Sequence, residues 1–130
     1  MAFYGKEQGP QAEVWEYELP GGWRVVAGKT DRDNDLLSVK LCDPRDWWFH
    51  VRSMSGSHVL LLHREGEEAD RDTLKAAAAV AAWHSKARNG GQTPVSCTQA
   101  HNVGKPRGAK RGLVQIRKEI VLKVRPAIPD

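Results

Sequence analysis

The segment 70–91 constrains this chain more than any other. It opens on Asp70 and Asp72, runs through alanines around Val80, carries Lys86 and Arg88 late, and stops at Gly90-Gly91. Acids ahead of an alanine-rich run, cations at its end and glycines after it are helix start and stop signals, so a helix is expected over 72–89. At ~100° per residue, Leu74, Ala77, Ala78, Ala81 and Ser85 share one face, and Ala76, Val80, Trp83 and Ala87 share a nearly opposite one. A helix apolar on two sides is usually buried on both. The small side chains let one side sit close against a sheet, and the other is open to cover by more of the chain or by a partner.

The sheet is legible on either side of this helix. Residues 14–19 are rich in β-formers, turn at Pro20-Gly21-Gly22 and continue at 23–27, a hairpin signal. Two further strands are expected at 47–52 and 58–63, separated by Ser53-Met54-Ser55-Gly56-Ser57, and a short one at 95–98 after Pro94. At the end of the chain, Val114, Ile116, Ile120, Leu122 and Val124 keep to even positions, the period-2 pattern of a half-buried strand pair. A first helix is expected over 30–41, where Leu36, Leu37, Lys40 and Leu41 follow a 3–4 spacing and Asp31, Asp33 and Asp35 suit the N-terminal dipole. Six or seven short strands with two helices give an α+β fold, one domain with a mostly antiparallel sheet. The expected organisation is an N-terminal extension over 1–12, the domain over 13–125 and a tail over 126–130.

With 130 residues there is room for a single hydrophobic core, and 40% apolar against 28% charged residues is the balance of an ordinary globular chain. Cys42 and Cys97 form no C-x-x-C pair, and the N-terminus lacks the apolar stretch of a signal peptide. The longest low-charge stretch, 76–85, is far short of the ~20 apolar residues that span a bilayer. A reduced, cytoplasmic setting without membrane contact is expected. Charge is unevenly placed. Residues 1–83 hold ten Lys/Arg against fourteen Asp/Glu, whereas 84–130 hold ten against two. Such asymmetry indicates either a polyanionic partner or a solvated basic face.

The stretch 102–112 carries the sharpest chemistry: Lys105, Arg107, Lys110 and Arg111 are set among Gly104, Gly108 and Gly112 with no acid. Glycines let backbone approach a phosphate and the cations neutralise it. At ~0.7–0.9 per contact, four phosphate contacts would give a log–log salt slope of about −3 to −4. The alternative is a mobile, solvated loop. Lys86 and Arg88 are candidates to join this surface, although both also suit a helix C-terminus. In the run 46–52, strand alternation sends Trp47, Phe49 and Val51 to a core face and Trp48, His50 and Arg52 to the other. An aromatic plane, an imidazole and a guanidinium together can stack on an unpaired base and pair with its phosphate, or else pack beneath a helix.

Three motifs fail on spacing. Gly28-Lys29-Thr30 resembles the end of a P-loop, but the first glycine of that motif would have to occupy position 23, which is Trp. The five histidines and two cysteines show no metal-ligand spacing, so no metal is expected. Ser57-His58 with Asp46 has triad residue types but no nucleophile elbow, so neither catalytic residues nor a cofactor are expected.

Taken together, several runs resemble one family, the NFACT-R domain. They are Gly28-Lys29 with Asn34-Asp35-Leu36-Leu37-Ser38, then Asp46-Trp47-Trp48-Phe49-His50-Val51, then Gly56-Ser57-His58-Val59. They continue through the alanine helix ending Ser85-Lys86-Ala87-Arg88 to Val103, Lys105, Gly108, Ala109, Lys110, Gly112 and Val114. Order and spacing hold from about residue 13 to 125. The chain departs from the family at Ser55, usually proline, and at Thr30, usually asparagine. The resemblance implies a non-catalytic RNA-binding module of ribosome quality control, here expected as a freestanding domain, with tRNA or rRNA on the large ribosomal subunit as partner. It brings Lys29, Ser57 and His58 into the candidate binding set beside Trp48, His50, Arg52, Lys86, Arg88 and the four loop cations. A protein-interaction adaptor using the helix face near Trp83, or a general nucleic-acid binder that also takes DNA, are the competing expectations. Oligomeric state is left open.

Overall fold

The computed structural model describes residues 2–129. Among the described residues nine strands form: β1 (Ala2–Gly5), β2 (Gln11–Glu18), β3 (Arg24–Gly28), β4 (Trp47–Val51), β5 (Val59–Leu61), β6 (Thr93–Gln99), β7 (Val103–Gly104), β8 (Gln115–Ile116) and β9 (Ile120–Val124). Seven of them make one antiparallel sheet in the order β1-β2-β3-β5-β4-β6-β9, and β7 pairs with β8 in a separate ribbon. The α+β class and the antiparallel sheet are as the sequence indicates.

Each face of the sheet has its own core. On one, helix α2 (Arg71–Trp83) lies over Val25, Ala27, Phe49, Val59 and Leu61, and its residues Ala77, Ala78, Val80, Ala81 and Ala82 are all fully buried. The alanines beside Val80 permit this close seat, because longer side chains at Ala77, Ala78 and Ala81 would push the helix off the sheet. Asp70 caps the helix, accepting the Thr73 N–H at 2.8 Å. The second apolar side is covered only in part: Val80 is buried, Ala76, Trp83 and Ala87 are half-buried, and the Ala127 N–H donates to the Ala79 carbonyl at 3.1 Å.

On the other face, α1 (Asp31–Asp35) and the π-helical turn that follows it (Leu36–Leu41) bury Leu37 against Val14, Val26, Trp48 and Leu60. The expected helix over 30–41 is therefore five α-helical residues and one wide turn, closed by Cys42 N–H to Leu37 carbonyl. Thr30 and Asp33 form a reciprocal capping box, and Asp33 also accepts the Glu13 N–H at 2.9 Å.

Three expectations give way. The helix ends at Trp83 rather than 89, because Ser85 turns its hydroxyl back to the Ala82 carbonyl (2.6 Å) and its backbone bridges Gly56. Lys86 and Arg88 thus sit in a loop beyond the helix. The segment around 113–124 is not a strand pair: β8 pairs with β7, and β9 pairs with β6. Residues 2–5, placed in an extension by the sequence, pair with β2 through Ala2↔Val14 to Gly5↔Gln11.

Candidate nucleic-acid interface

Register decides which residues meet. The pairings Val14↔Gly28, Ala27↔Val59, Phe49↔Val59 and Val51↔Val95 bring the start of β2, the ends of β3 and β4 and the starts of β5 and β6 to one end of the sheet. The end of α2 arrives there too, where the Ser57 N–H donates to the His84 carbonyl at 2.9 Å. Lys29, Arg52, Lys86 and Arg88 follow these termini. Asp43, Glu65, Glu67, Glu68, Asp70 and Asp72 belong to turns and a helix start at the opposite end. Asp31, Asp33 and Asp35 of α1 and Glu119 beside Arg52 are the acids at the basic end, so topology separates most of the charges that the sequence only divides into halves.

The loop of residues 53–58 joins the elements at this end. Ser57 Oγ donates to the Gly28 carbonyl at 2.6 Å, and the His58 N–H donates to Asn34 Oδ1 at 3.0 Å. Gly28 must be glycine: a Cβ there would stand 2.2 Å from Asn34 Oδ1. Trp48 donates its indole N–H to Ser38 Oγ at 2.8 Å, and Ser38 Oγ lies 2.6 Å from His58 Nδ1. Burial, with the nearby His50 ring, holds the His58 imidazole down at about pKa 4. Burial lowers His50 as well.

The basic loop is docked rather than loose. Asp35 receives Lys105 Nζ at 2.9 Å and the Gly112 N–H at 2.8 Å, so one carboxylate ties both ends of the 105–112 segment to α1. Lys105 also donates to the Lys110 carbonyl. Gly112 has φ +83° and packs where a Cβ would be 3.1 Å from Asp31 Oδ1. Beyond this clamp, Arg107, Lys110 and Arg111 are exposed and have no ion-pair partner among the described residues.

The sequence-derived candidates separate accordingly. Lys29, Ser57, Lys86 and Arg88 border one cleft of about 370 Å³. Trp48, His50, Arg52 and His58 border a second of about 310 Å³, roofed by Gly112 and Leu113. Four residues are engaged internally. Lys105 is taken up by Asp35, and Trp48, Ser57 and His58 are 3%, 7% and 3% exposed with their polar atoms bonded inside the domain. Of the two expectations for Trp48, the packed one describes its place: the indole packs against Leu37 and Leu60 and its edge is spent on Ser38. Arg52 is partly held, its Nε 3.5 Å from Glu119. Trp15 is the residue sequence reasoning missed. It is 38% exposed on β2 and borders the first cleft with its ring stacked on His84. Its signal was a tryptophan standing among Glu13, Glu16 and Glu18 on a strand, where core packing does not ask for one.

Among the described residues, no helix is long and apolar enough to cross a membrane, and no three His, Cys, Asp or Glu side chains are grouped to hold a metal ion.

A seven-stranded antiparallel sheet with a helix on one face, a glycine-rich clamp on the other and a basic end defines the class of this small α+β domain. The chain belongs to the NFACT protein RNA binding domain family, whose sequence profile matches residues 14–118. It is 35% identical over 122 residues to the Rqc2 homolog RqcH of Bacillus subtilis, covering 93% of this chain and 21% of that protein. It is 32% identical over 102 residues to RqcH of Streptococcus suis, covering 78% of this chain and 18% of the relative. The archaeal Rqc2 homolog aRqcH of Methanocaldococcus jannaschii shares 29% over 75 residues, covering 58% of this chain and 11% of the other. The chain thus spans about a fifth or less of the length of these curated relatives. The solved C-terminal part of the fibronectin/fibrinogen-binding protein from Streptococcus suis superposes with a TM-score of 0.82 at 28% identity, over 94% of this chain and 49% of that one.

Proposed function

We propose that this domain is a non-catalytic RNA-binding module acting beside the ribosome in the cytoplasm, with structured RNA, tRNA or large-subunit rRNA, laid across the basic end of the sheet. One observation carries the reading. Lys29, Lys86, Arg88, Arg107, Lys110 and Arg111 come from three segments distant in sequence, stand at the end of the sheet or on the loop clamped beside it, and have no acidic partner among the described residues. Cations held apart from acids on a rigid frame suit a phosphate backbone, because ordering them costs little on binding. The RNA-binding family and the names of the RqcH relatives support the same partner class.

The clamp reduces the loop's expected phosphate contacts from four to three, since Lys105 is neutralised by Asp35. Arg107, Lys110 and Arg111 together should contribute about 2 to 3 units of log–log salt slope. Mobility shift of tRNA across a salt series tests this. Changing all three to Ala should weaken binding and flatten the slope by that amount, and an unchanged slope would remove the loop from the interface. The helix face near Trp83 leaves less room for an adaptor function, since Val80 is fully buried, Trp83 is half-buried beneath the Arg88 guanidinium and Ala127 bonds to the helix.

A further inference from the structure

The first cleft holds more than charge. Trp15 and His84 lie nearly parallel, with ring centroids 4.3 Å apart and 17° between planes. The imidazole is fixed from behind by the Tyr17 hydroxyl, 2.6 Å from Nε2. Burial and the nearby Arg88 charge keep His84 at about pKa 4, so it is neutral near pH 7. A tryptophan on β2, already stacked and still 38% exposed, is a rigid platform. Three cations, Lys29, Lys86 and Arg88, and one acid, Asp31, border the same cleft. Lys29 Nζ lies 5.1 Å from the Trp15 ring centroid, and Lys86 and Arg88 stand on the other wall of the same cleft of about 370 Å³. Arg88 is held in place by its own bond to the Trp83 carbonyl (2.7 Å) and its stack over the Trp83 ring.

We infer that this cleft seats one unpaired nucleotide, its base on the Trp15 indole and its phosphate between Lys29 and the Lys86–Arg88 wall. The inference rests on the RNA-binding reading above and adds the kind of RNA feature that is held. A duplex keeps its bases stacked inside and offers this cleft only phosphates; a loop, bulge or end offers a free π-face as well. Lys29 occupies the ring only through a flexible stem, and a base that replaces it there brings a phosphate within its reach. His84 prevents the indole from turning, so the platform does not have to be ordered when the base arrives.

The test uses the full chain and three RNA probes of equal length: a single-stranded oligonucleotide, the same strand with an abasic nucleotide at each of several positions, and a perfect duplex. Wild-type protein should prefer the intact single strand to the abasic one. Trp15→Ala should lower affinity for the intact strand by roughly five- to a hundredfold, leave the abasic strand and the duplex nearly unchanged, and abolish the preference. Trp15→Phe keeps an aromatic face and should retain most of it, which separates loss of stacking from loss of folding. Equal binding of intact and abasic strands by the wild type overturns the proposal. So does a Trp15→Ala loss that is the same for all three probes. Normal binding of duplex and tRNA in either case would leave the phosphate-based function standing, whereas failure of the wild type to bind any RNA would end both.

Discussion

Acid should unfold this domain through His58, and the size of the effect follows from its surroundings. The ring is 3% exposed, shares a hydrogen-bonded line with Ser38 and Trp48, and is held at about pKa 4 by burial. In the unfolded chain a histidine titrates at about 6.5. The folded pKa is the lower one, so the unfolded chain takes up the proton first as pH falls. The stabilisation is complete above about 6.5 and is lost progressively down to about 4. Between about pH 7.5 and about pH 5 this group alone removes about 2 kcal/mol, a large part of the stability of a small domain. His84, half-buried, and His50 shift in the same direction and add to the slope. Urea unfolding at several pH values, on wild type and His58→Gln, isolates the contribution. The wild type should start more stable near neutral pH and lose about 2 kcal/mol more than the variant on acidification. Parallel losses in the two proteins, or a His58 ring proton that titrates near its unperturbed value by NMR, would refute the reasoning.

Three further outcomes follow from the packing. Lys105→Ala should cost about 1–2 kcal/mol in denaturant unfolding while changing the RNA salt slope little, because its ammonium serves Asp35, whereas a full unit of slope lost would mean it reaches phosphate. Gly112→Ala should destabilise by about 1–2 kcal/mol, since the residue is at φ +83° and the new methyl meets the Asp31 carboxylate; an unchanged thermal midpoint would show that the clamp yields freely. Ala78→Leu should cost about 1–3 kcal/mol or more by lifting α2 from the sheet, in contrast to a near-neutral Ala change at exposed Lys75.

Several elements were legible from local chemistry alone. The Asp70 cap and alanine block specify α2, the Pro20-Gly21-Gly22 turn specifies the β2–β3 hairpin, and alternation assigns Phe49 and Val51 to the core. These depend on residues within a few positions of one another. The end of α2 was not legible, because it is imposed by Gly56 and Ser57 pairing with residues 84 and 85 from nearly thirty positions away. The even-numbered apolar pattern over 114–124 was real, but periodicity names a face and not a partner, and the two halves pair with different strands.

The sequence by itself determined that this chain is a single α+β domain with a close-packed alanine helix, a surplus of cation in its second part and the motifs of an RNA-binding family. Only the tertiary structure decided which of those cations are free. Asp35 lies seventy positions before Lys105 and still captures it, and Trp48, the evident stacking residue on paper, is enclosed while Trp15 is left open. The reason is physical: composition and spacing set what a side chain is able to do, but the neighbours that spend its charge or cover its face are brought by the register of the sheet.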